Sequence, residues 1–218
     1  MKPSLKKKLV SVLKRRVLNY VLKISQLVFK EAKTEKELNL VFRLRYKIYL
    51  NENYIEPNKK GVFKDEYDLH SINFIVLKKN RPIGITRLVL NSKVGFPTEN
   101  LFNFNRPKIP RNKLAEISRV AIDKEFKGRE GLVMIGLVKM IYEYTEKLGL
   151  KYLYANMPEK LEKYCRSFGI KFIKLKELPP TKFNLHHRKL IGGYFKRRER
   201  KLEPYVLDVE ENKKSLGL

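Results

Sequence analysis

Apolar and polar positions alternate along the chain in two distinct rhythms, one helical and one extended. Between residues 4 and 24, Leu9, Leu13, Val17, Tyr20 and Ile24 recur at helical spacing, while Lys6, Lys7, Lys8, Lys14 and Arg15 fill the other faces. That pattern predicts a cationic amphipathic helix, which sets residues 1–25 apart from a domain spanning 26–218. Such a helix either lies on an anionic membrane or a carrier protein, or packs on its own domain. Gln26 to Lys33 then reads as a short strand around Leu27-Val28-Phe29. Thr34 and Glu37 occupy the two positions of a capping box, and the helix they open runs to about Leu50. Leu38, Val41, Phe42, Ile48 and Tyr49 mark its buried stripe, and Arg45 falls inside that stripe. A guanidinium on an apolar face requires an anion beside it.

Asn, Pro and Gly punctuate residues 51–71, which read as a loop. Two strands follow, Ile72–Leu77 and Ile83–Leu90, joined as a hairpin across Lys78 to Pro82. Period-two alternation puts Ile83, Ile85, Arg87 and Val89 on one face of the second strand. Arg87 is thus a second arginine in an apolar row. A long connection, residues 91–113, carries Pro97, Pro107 and Pro110, and connections of that length are often functional. In the next strand, Leu114 to Ile122, Glu116 and Ser118 share a face with Leu114, Val120 and Ile122. Arg119 sits on the other with Ala115, Ile117 and Ala121. Further on come a helix from about Leu132 to Leu148 closed by Gly149, a strand Lys151–Asn156, a helix from Pro158 to Gly169 and a strand Ile170–Leu175. The remainder is less regular, with a basic stretch (Lys196, Arg197, Arg198, Arg200, Lys201) and a last strand, Tyr205 to Val209.

Composition narrows the function classes. The formal charge of +26, from 49 Lys and Arg against 23 Asp and Glu, favours an acidic partner such as nucleic acid, an anionic membrane or an acidic protein. The single Cys165 excludes a disulfide framework and a cysteine metal site, and His70, His186 and His187 are too few and too scattered for a zinc centre. No metal ligand set is expected. No apolar run is long enough to span a bilayer, and the basic N-terminus lacks a signal-peptide core, so a cytoplasmic protein is expected.

Two constellations carry chemistry. Lys127-Gly128-Arg129-Glu130-Gly131 forms a basic turn between a strand and a helix, which aims backbone N–H groups and a helix N-terminus at an anion. Asp65 and Asp68 stand three apart before a strand and, with Glu116, are candidate partners for Arg45 and Arg87. No nucleophile stands out. Ser118 has no neighbouring His, His186 and His187 lie in the irregular basic region, and Cys165 reads as packing. Direct transfer between bound substrates is therefore expected, with a carboxylate as base.

The order Arg45…Tyr49, Asp65-Glu66-Tyr67-Asp68, Arg87 and Glu116-Ile117-Ser118-Arg119 resembles the autoinducer (acyl-homoserine lactone) synthases. The stretches Asp68 to Ser71, Arg81 to Leu88 and Ile109 to Arg119 are closer still to the N-acyl amino acid synthases and the exosortase (PEP-CTERM) system-associated acyltransferases. The resemblance covers residues 27 to 176. It implies a GNAT-like α/β fold with a mixed, mostly antiparallel sheet splayed in the middle and helices on both faces. It also implies an acyl donor on the phosphopantetheine arm of acyl carrier protein, or acyl-CoA, with no tightly bound cofactor. Arg45, Tyr49, Asp65, Asp68 and Arg87 would then shape the amine-substrate side, Glu116 would be the base, and Ser118 and Arg119 would organise the same region. Lys127, Gly128, Arg129 and Gly131 would hold the phosphopantetheine.

Homoserine lactone synthases carry a Trp after the first helix, whereas this chain has no Trp and the nearby aromatic is Tyr54. An amino acid or another small amine is the expected acceptor, rather than S-adenosylmethionine. An acidic carrier protein suits the basic surface, and no specific nucleic-acid motif is present. The competing readings are an acetyl-CoA-dependent N-acetyltransferase and a non-catalytic membrane- or nucleic-acid-binding protein on the same fold. Joint action of Glu116 and Arg119 requires a bulge near Ser118, because a regular strand would part them.

Overall fold

The computed structural model describes residues 20–21, 23–126, 130–191 and 201–216. Most of the expected N-terminal helix, residues 192–200 of the basic stretch and Lys127, Gly128 and Arg129 lie outside them; Tyr20, Val21, Lys23 and Ile24 are helical. Strand β1 (Leu27–Glu31) leads through Thr34 into helix α1 (Glu35–Asn51), and the capping box forms as the sequence predicts. Thr34 Oγ1 accepts from the Glu37 N–H, and the Glu37 carboxylate accepts from the Thr34 N–H. The reciprocal bonds satisfy two N–H groups that a helix start leaves orphaned. The expected loop at 51–71 ends in a 3₁₀ turn, Glu66–His70, capped by Asp65. Strands β2 (Ser71–Lys78) and β3 (Arg81–Val89) form the hairpin.

The 91–113 connection contains helix α2 (Pro97–Leu101) and strand β4 (Asn103–Phe104). Strand β5 (Leu114–Ile122), helix α3 (Glu130–Lys147), strand β6 (Tyr152–Pro158) and helix α4 (Glu159–Ser167) follow in the expected order. Strand β7 is shorter than expected (Ile173–Lys174), and β8 (Glu177–Leu178) pairs with β4 in a two-stranded sheet. The region expected to be irregular holds helix α5 (Lys182–Ile191), which carries His186 and His187. The last strand, β9 (Leu202–Asp208), begins three residues earlier than predicted and runs into helix α6 (Val209–Leu216).

The main sheet has the order β1-β2-β3-β5-β6-β9-β7. Only β5 and β6 run parallel; the other neighbouring pairs are antiparallel. One face packs on α1, where Val41, Leu44 and Tyr49 meet Ile75, Leu77 and Ile85. The other packs on α3 and α4, where Val133, Leu137 and Cys165 meet Phe74, Val76 and Leu153. Helix α3 lies unusually close to the sheet edge. A Cβ on Gly136 would come within 2.1 Å of the Phe29 ring, so glycine permits that approach.

Two irregularities reset the alternation read from sequence. Between β2 and β3 the partners run Val76↔Gly84 and then Leu77↔Pro82, which makes Ile83 an extra residue. Ile83 therefore joins the α3 face while Ile85 faces α1, rather than sharing a face. Between β3 and β5 the partners run Ile85↔Ala121 and then Arg87↔Ser118, so β5 carries an extra residue beside Ser118. Arg119 takes a left-handed φ of 58° there. That conformation costs a non-glycine residue roughly 1–3 kcal/mol and persists only where its surroundings enforce it.

Candidate active site

The bulge brings Arg119 to the face that already holds Ser118 and Arg87. Arg45, fully buried on α1, donates from Nη1 to Asp68 Oδ2 at 2.7 Å and from Nη2 to Asn73 Oδ1 at 3.1 Å. Arg87, fully buried on β3, places Nη1 2.5 Å from Asp65 Oδ1 and 2.9 Å from Asp68 Oδ1. Its Nε donates to Ser118 Oγ at 3.0 Å. Arg119 Nη2 reaches the other oxygen of Asp65 at 2.6 Å. Its guanidinium also lies over the rings of Tyr49 (5.4 Å) and Phe63 (5.0 Å). Tyr54, the aromatic that follows α1, packs edge-on to Tyr49. The 3₁₀ turn makes this possible, because Asp65 caps it with one oxygen and Asp68 closes the box on the Asp65 N–H. Local turn chemistry thus aims both carboxylates at arginines from three elements.

Burial opposes ionisation of Asp65, yet Arg119 and Arg87 hold it well below the usual carboxylate range. Asp68 is likewise lowered against its burial by Arg45 and Arg87. Three guanidinium groups against two carboxylates leave the cluster one positive charge in excess.

Glu116 departs from expectation. It was a candidate partner for the arginines, but the aspartates take them. Fully buried, it accepts from the Thr98 N–H at 2.9 Å and from Asn156 Nδ2 at 3.0 Å. Burial pushes its carboxyl up to about 8, against the lowering effect of the Thr98 bonds. Burial thus works against a negative charge on Glu116.

Beside the cluster the sheet opens. Pairing of β5 with β6 runs from Leu114↔Tyr152 to Ile117↔Ala155 and stops, whereas β6 stays paired with β9 as far as Pro158↔Leu202. A cavity of about 160 Å³ occupies the splay. Its polar wall includes Tyr49, Arg87, Ser118, Arg119 and Asn156. Its apolar wall comprises Met134, Leu137, Val138 and Ile141 from α3 with Leu161 and Cys165 from α4. Burial, then the nearby Glu162, push the Cys165 thiol up to about 11, which suits packing rather than nucleophilic attack. His187 contacts the Phe183 carbonyl at 3.0 Å, on its own helix. Gly131 lies in the first turn of α3.

Sequence reasoning missed Thr98 and Asn156. Thr98 carried no signal, because it lies in a connection read as a loop. Asn156 did, as the polar residue that ends the apolar run Tyr152-Leu153-Tyr154-Ala155, two before Pro158.

A splayed sheet of this order, helices on both faces and a cavity in the splay make up the GNAT-like acyltransferase fold. The model of the N-acyl amino acid synthase FeeM matches residues 40–180. The chain belongs to that family. It is an acyltransferase of the FeeM N-acyl amino acid synthase family. Among solved structures, the acyl-homoserine lactone synthase LasI superposes with a TM-score of 0.65 at 15% identity, over 88% of this chain and 95% of that one. FeeM from uncultured soil microbes gives 0.60 at 14% identity, over 87% and 94%. BjaI, a CoA-dependent acyl-homoserine lactone synthase solved with SAM and isopentyl-CoA, gives 0.60 at 19%, over 88% and 90%. No curated protein matches the sequence. Among the described residues no helix is long and apolar enough to cross a membrane.

Proposed function

We propose that this enzyme moves a long acyl group from the phosphopantetheine thioester of an acyl carrier protein to the amine of an amino acid or related small amine. One observation carries the reading: a single cavity joins an apolar channel to a buried ionic cluster with one positive charge in excess. An excess buried charge is costly without a counter-ion, and an acceptor's carboxylate would supply one. Arg119 and Arg87 line the cavity and would face that carboxylate, with Tyr49 and Ser118 beside it. Asp65, Asp68 and Arg45 would hold those arginines in place from behind.

The apolar wall from α3 and α4 suits a hydrocarbon chain far better than an acetyl group. Gly131 in the first turn of α3, with Lys127, Gly128 and Arg129 just before it in the sequence, would receive the phosphopantetheine phosphate. The carrier protein rather than CoA is favoured by the charge of +26, since an acidic partner is steered to such a surface. In the reaction the amine nitrogen bonds to the thioester carbon, the C–S bond breaks, and the thiol leaves with the amine's proton. A cytoplasmic enzyme with its cationic N-terminal segment against an anionic membrane face fits a product that is itself a lipid.

The test compares acyl-carrier thioesters of graded length with acyl-CoA and acetyl-CoA, against amino acids and their decarboxylated amines. Long acyl-carrier donors and carboxylate-bearing acceptors are expected to give the fastest turnover. Turnover with acetyl-CoA alone would sink the donor assignment. Equal rates with tyramine and tyrosine, or any such pair, would sink the carboxylate reading.

A further inference from the structure

Asn156 lines the cavity and bonds to the buried Glu116. It follows Ala155, the last β6 residue paired with β5, so its side chain borders the splay and lines the cavity. Its amide nitrogen has two hydrogens. One goes to Thr98 Oγ1 at 3.1 Å and the other to Glu116 Oε1 at 3.0 Å. The Thr98 N–H closes the triangle by donating to Glu116 Oε2 at 2.9 Å. Thr98 and Glu116 are both fully buried, so the amide is held from behind by fixed groups. With both donors spent, the amide has only Oδ1 left, and an asparagine carbonyl is purely an acceptor. Oδ1 accepts no hydrogen bond from any described residue and is not fully enclosed. An unpaired acceptor at the wall of a cavity is what an amine N–H would find.

We infer that Asn156 is the acceptor-orienting residue of this enzyme, and that Glu116 acts through it. Asn156 Oδ1 accepts a hydrogen bond from the neutral acceptor amine and turns its lone pair toward the thioester carbon. Asn156 takes no proton. The C–N bond forms as the C–S bond breaks, and the amine's proton leaves with the thiol. Glu116 is then a positioning residue: it fixes which way round the amide sits, and it does not touch the acceptor. Thr98 performs the same duty from the other side. This inference rests on the amine-acceptor reading above and adds the group that aligns the amine.

The experiment is steady-state kinetics on the full chain with an acyl thioester and an amino acid, varying each in turn. Asn156→Leu keeps the size and removes the carbonyl. The expected result is a loss of about tenfold or more in acceptor kcat/KM, the equivalent of one hydrogen bond to a polar partner, with the donor KM unmoved. Asn156→Ser, which retains a donor for Glu116, is expected to lose the acceptor term in the same way, and it stands in if the leucine variant does not fold. Because Glu116 acts through Asn156, Glu116→Gln combined with Asn156→Leu should be no worse than Asn156→Leu alone. Losses that multiply would show Glu116 acting on the proton independently and would overturn the proposal. So would acceptor kinetics within threefold of wild type, or a loss confined to the donor KM. Failure of the wild type to acylate any amine would instead overturn the proposed function, and this inference with it.

Discussion

Arg119 Nη2 lies 2.6 Å from Asp65 Oδ2, although a regular β5 strand would turn Arg119 to the opposite face of the sheet. The bulge that brings them together is held by that ion pair and by the rings of Tyr49 and Phe63. Removing one partner of a buried pair typically costs about 3–5 kcal/mol, because the other charge is stranded. Asp65→Asn is thus expected to lower the unfolding free energy by roughly 3 kcal/mol and to abolish most turnover. A double-mutant cycle with Arg119→Gln should show coupling of about 1–3 kcal/mol in denaturant unfolding. Additive losses would mean that the bulge is held by something else.

Glu116 gives a pH dependence of the opposite sign to Asp65. Its carboxyl is pushed up to about 8 in the folded chain by burial, above the ordinary 4.5 expected on unfolding. Between those values the folded state holds a proton that the unfolded state has lost. Stability from this group is therefore fully present below about 4.5 and is lost as pH rises through about 8. The slope is about 1.4 kcal/mol per pH unit while the two states differ by one proton. Glu116→Gln should flatten the fall in Tm between pH 5 and 8 relative to wild type. Parallel curves for the two proteins would show that Glu116 is already ionised at neutral pH.

How far the sequence could be read depended on whether an element's signal was local. The start of α1 was legible because Thr34 and Glu37 bond to each other's backbone within one turn. The cap is a quantitative handle too. Thr34→Ala should cost about 1 kcal/mol in chemical denaturation, with little effect on KM, since α1 carries Arg45 and Tyr49 from a full helix of further contacts. A loss of several kcal/mol would mean that the cap organises the cluster itself.

The bulge at Arg119 was legible for a different reason. Joint action of Glu116 and Arg119 called for an extra residue near Ser118; the extra residue is there, but it joins Arg119 to Asp65, while Glu116 bonds to Thr98 and Asn156. The bulge at Ile83 offered no such conflict, because isoleucine fits either face. Helix α5 was missed because its cap is disguised. Thr181 caps it, but Asn184 rather than Glu or Gln occupies the third position and bonds back to the Thr181 N–H. Asn184 also donates to the Asn100 carbonyl, a contact with α2 that spacing alone does not disclose. Thr98 and Asn156 belong to the same class: their meaning lies in a triangle with Glu116 that only the tertiary fold assembles.

The apolar wall offers the most direct test of what the enzyme carries. Val138 faces the cavity from the middle of α3, between Met134 and Ile141, and is only partly buried. Replacing it with phenylalanine puts a ring into space that the acyl chain would occupy. Such an insertion typically costs about 1–3 kcal/mol where a core is already full, and less where a cavity receives it. Val138→Phe is therefore expected to keep the fold, leave the acceptor KM unchanged, and shift the products toward shorter acyl chains. Mass spectrometry of lipid extracts from cells making each protein would read that distribution. An unaltered chain-length profile, with the ring accommodated and activity intact, would place the hydrocarbon somewhere other than between α3 and α4.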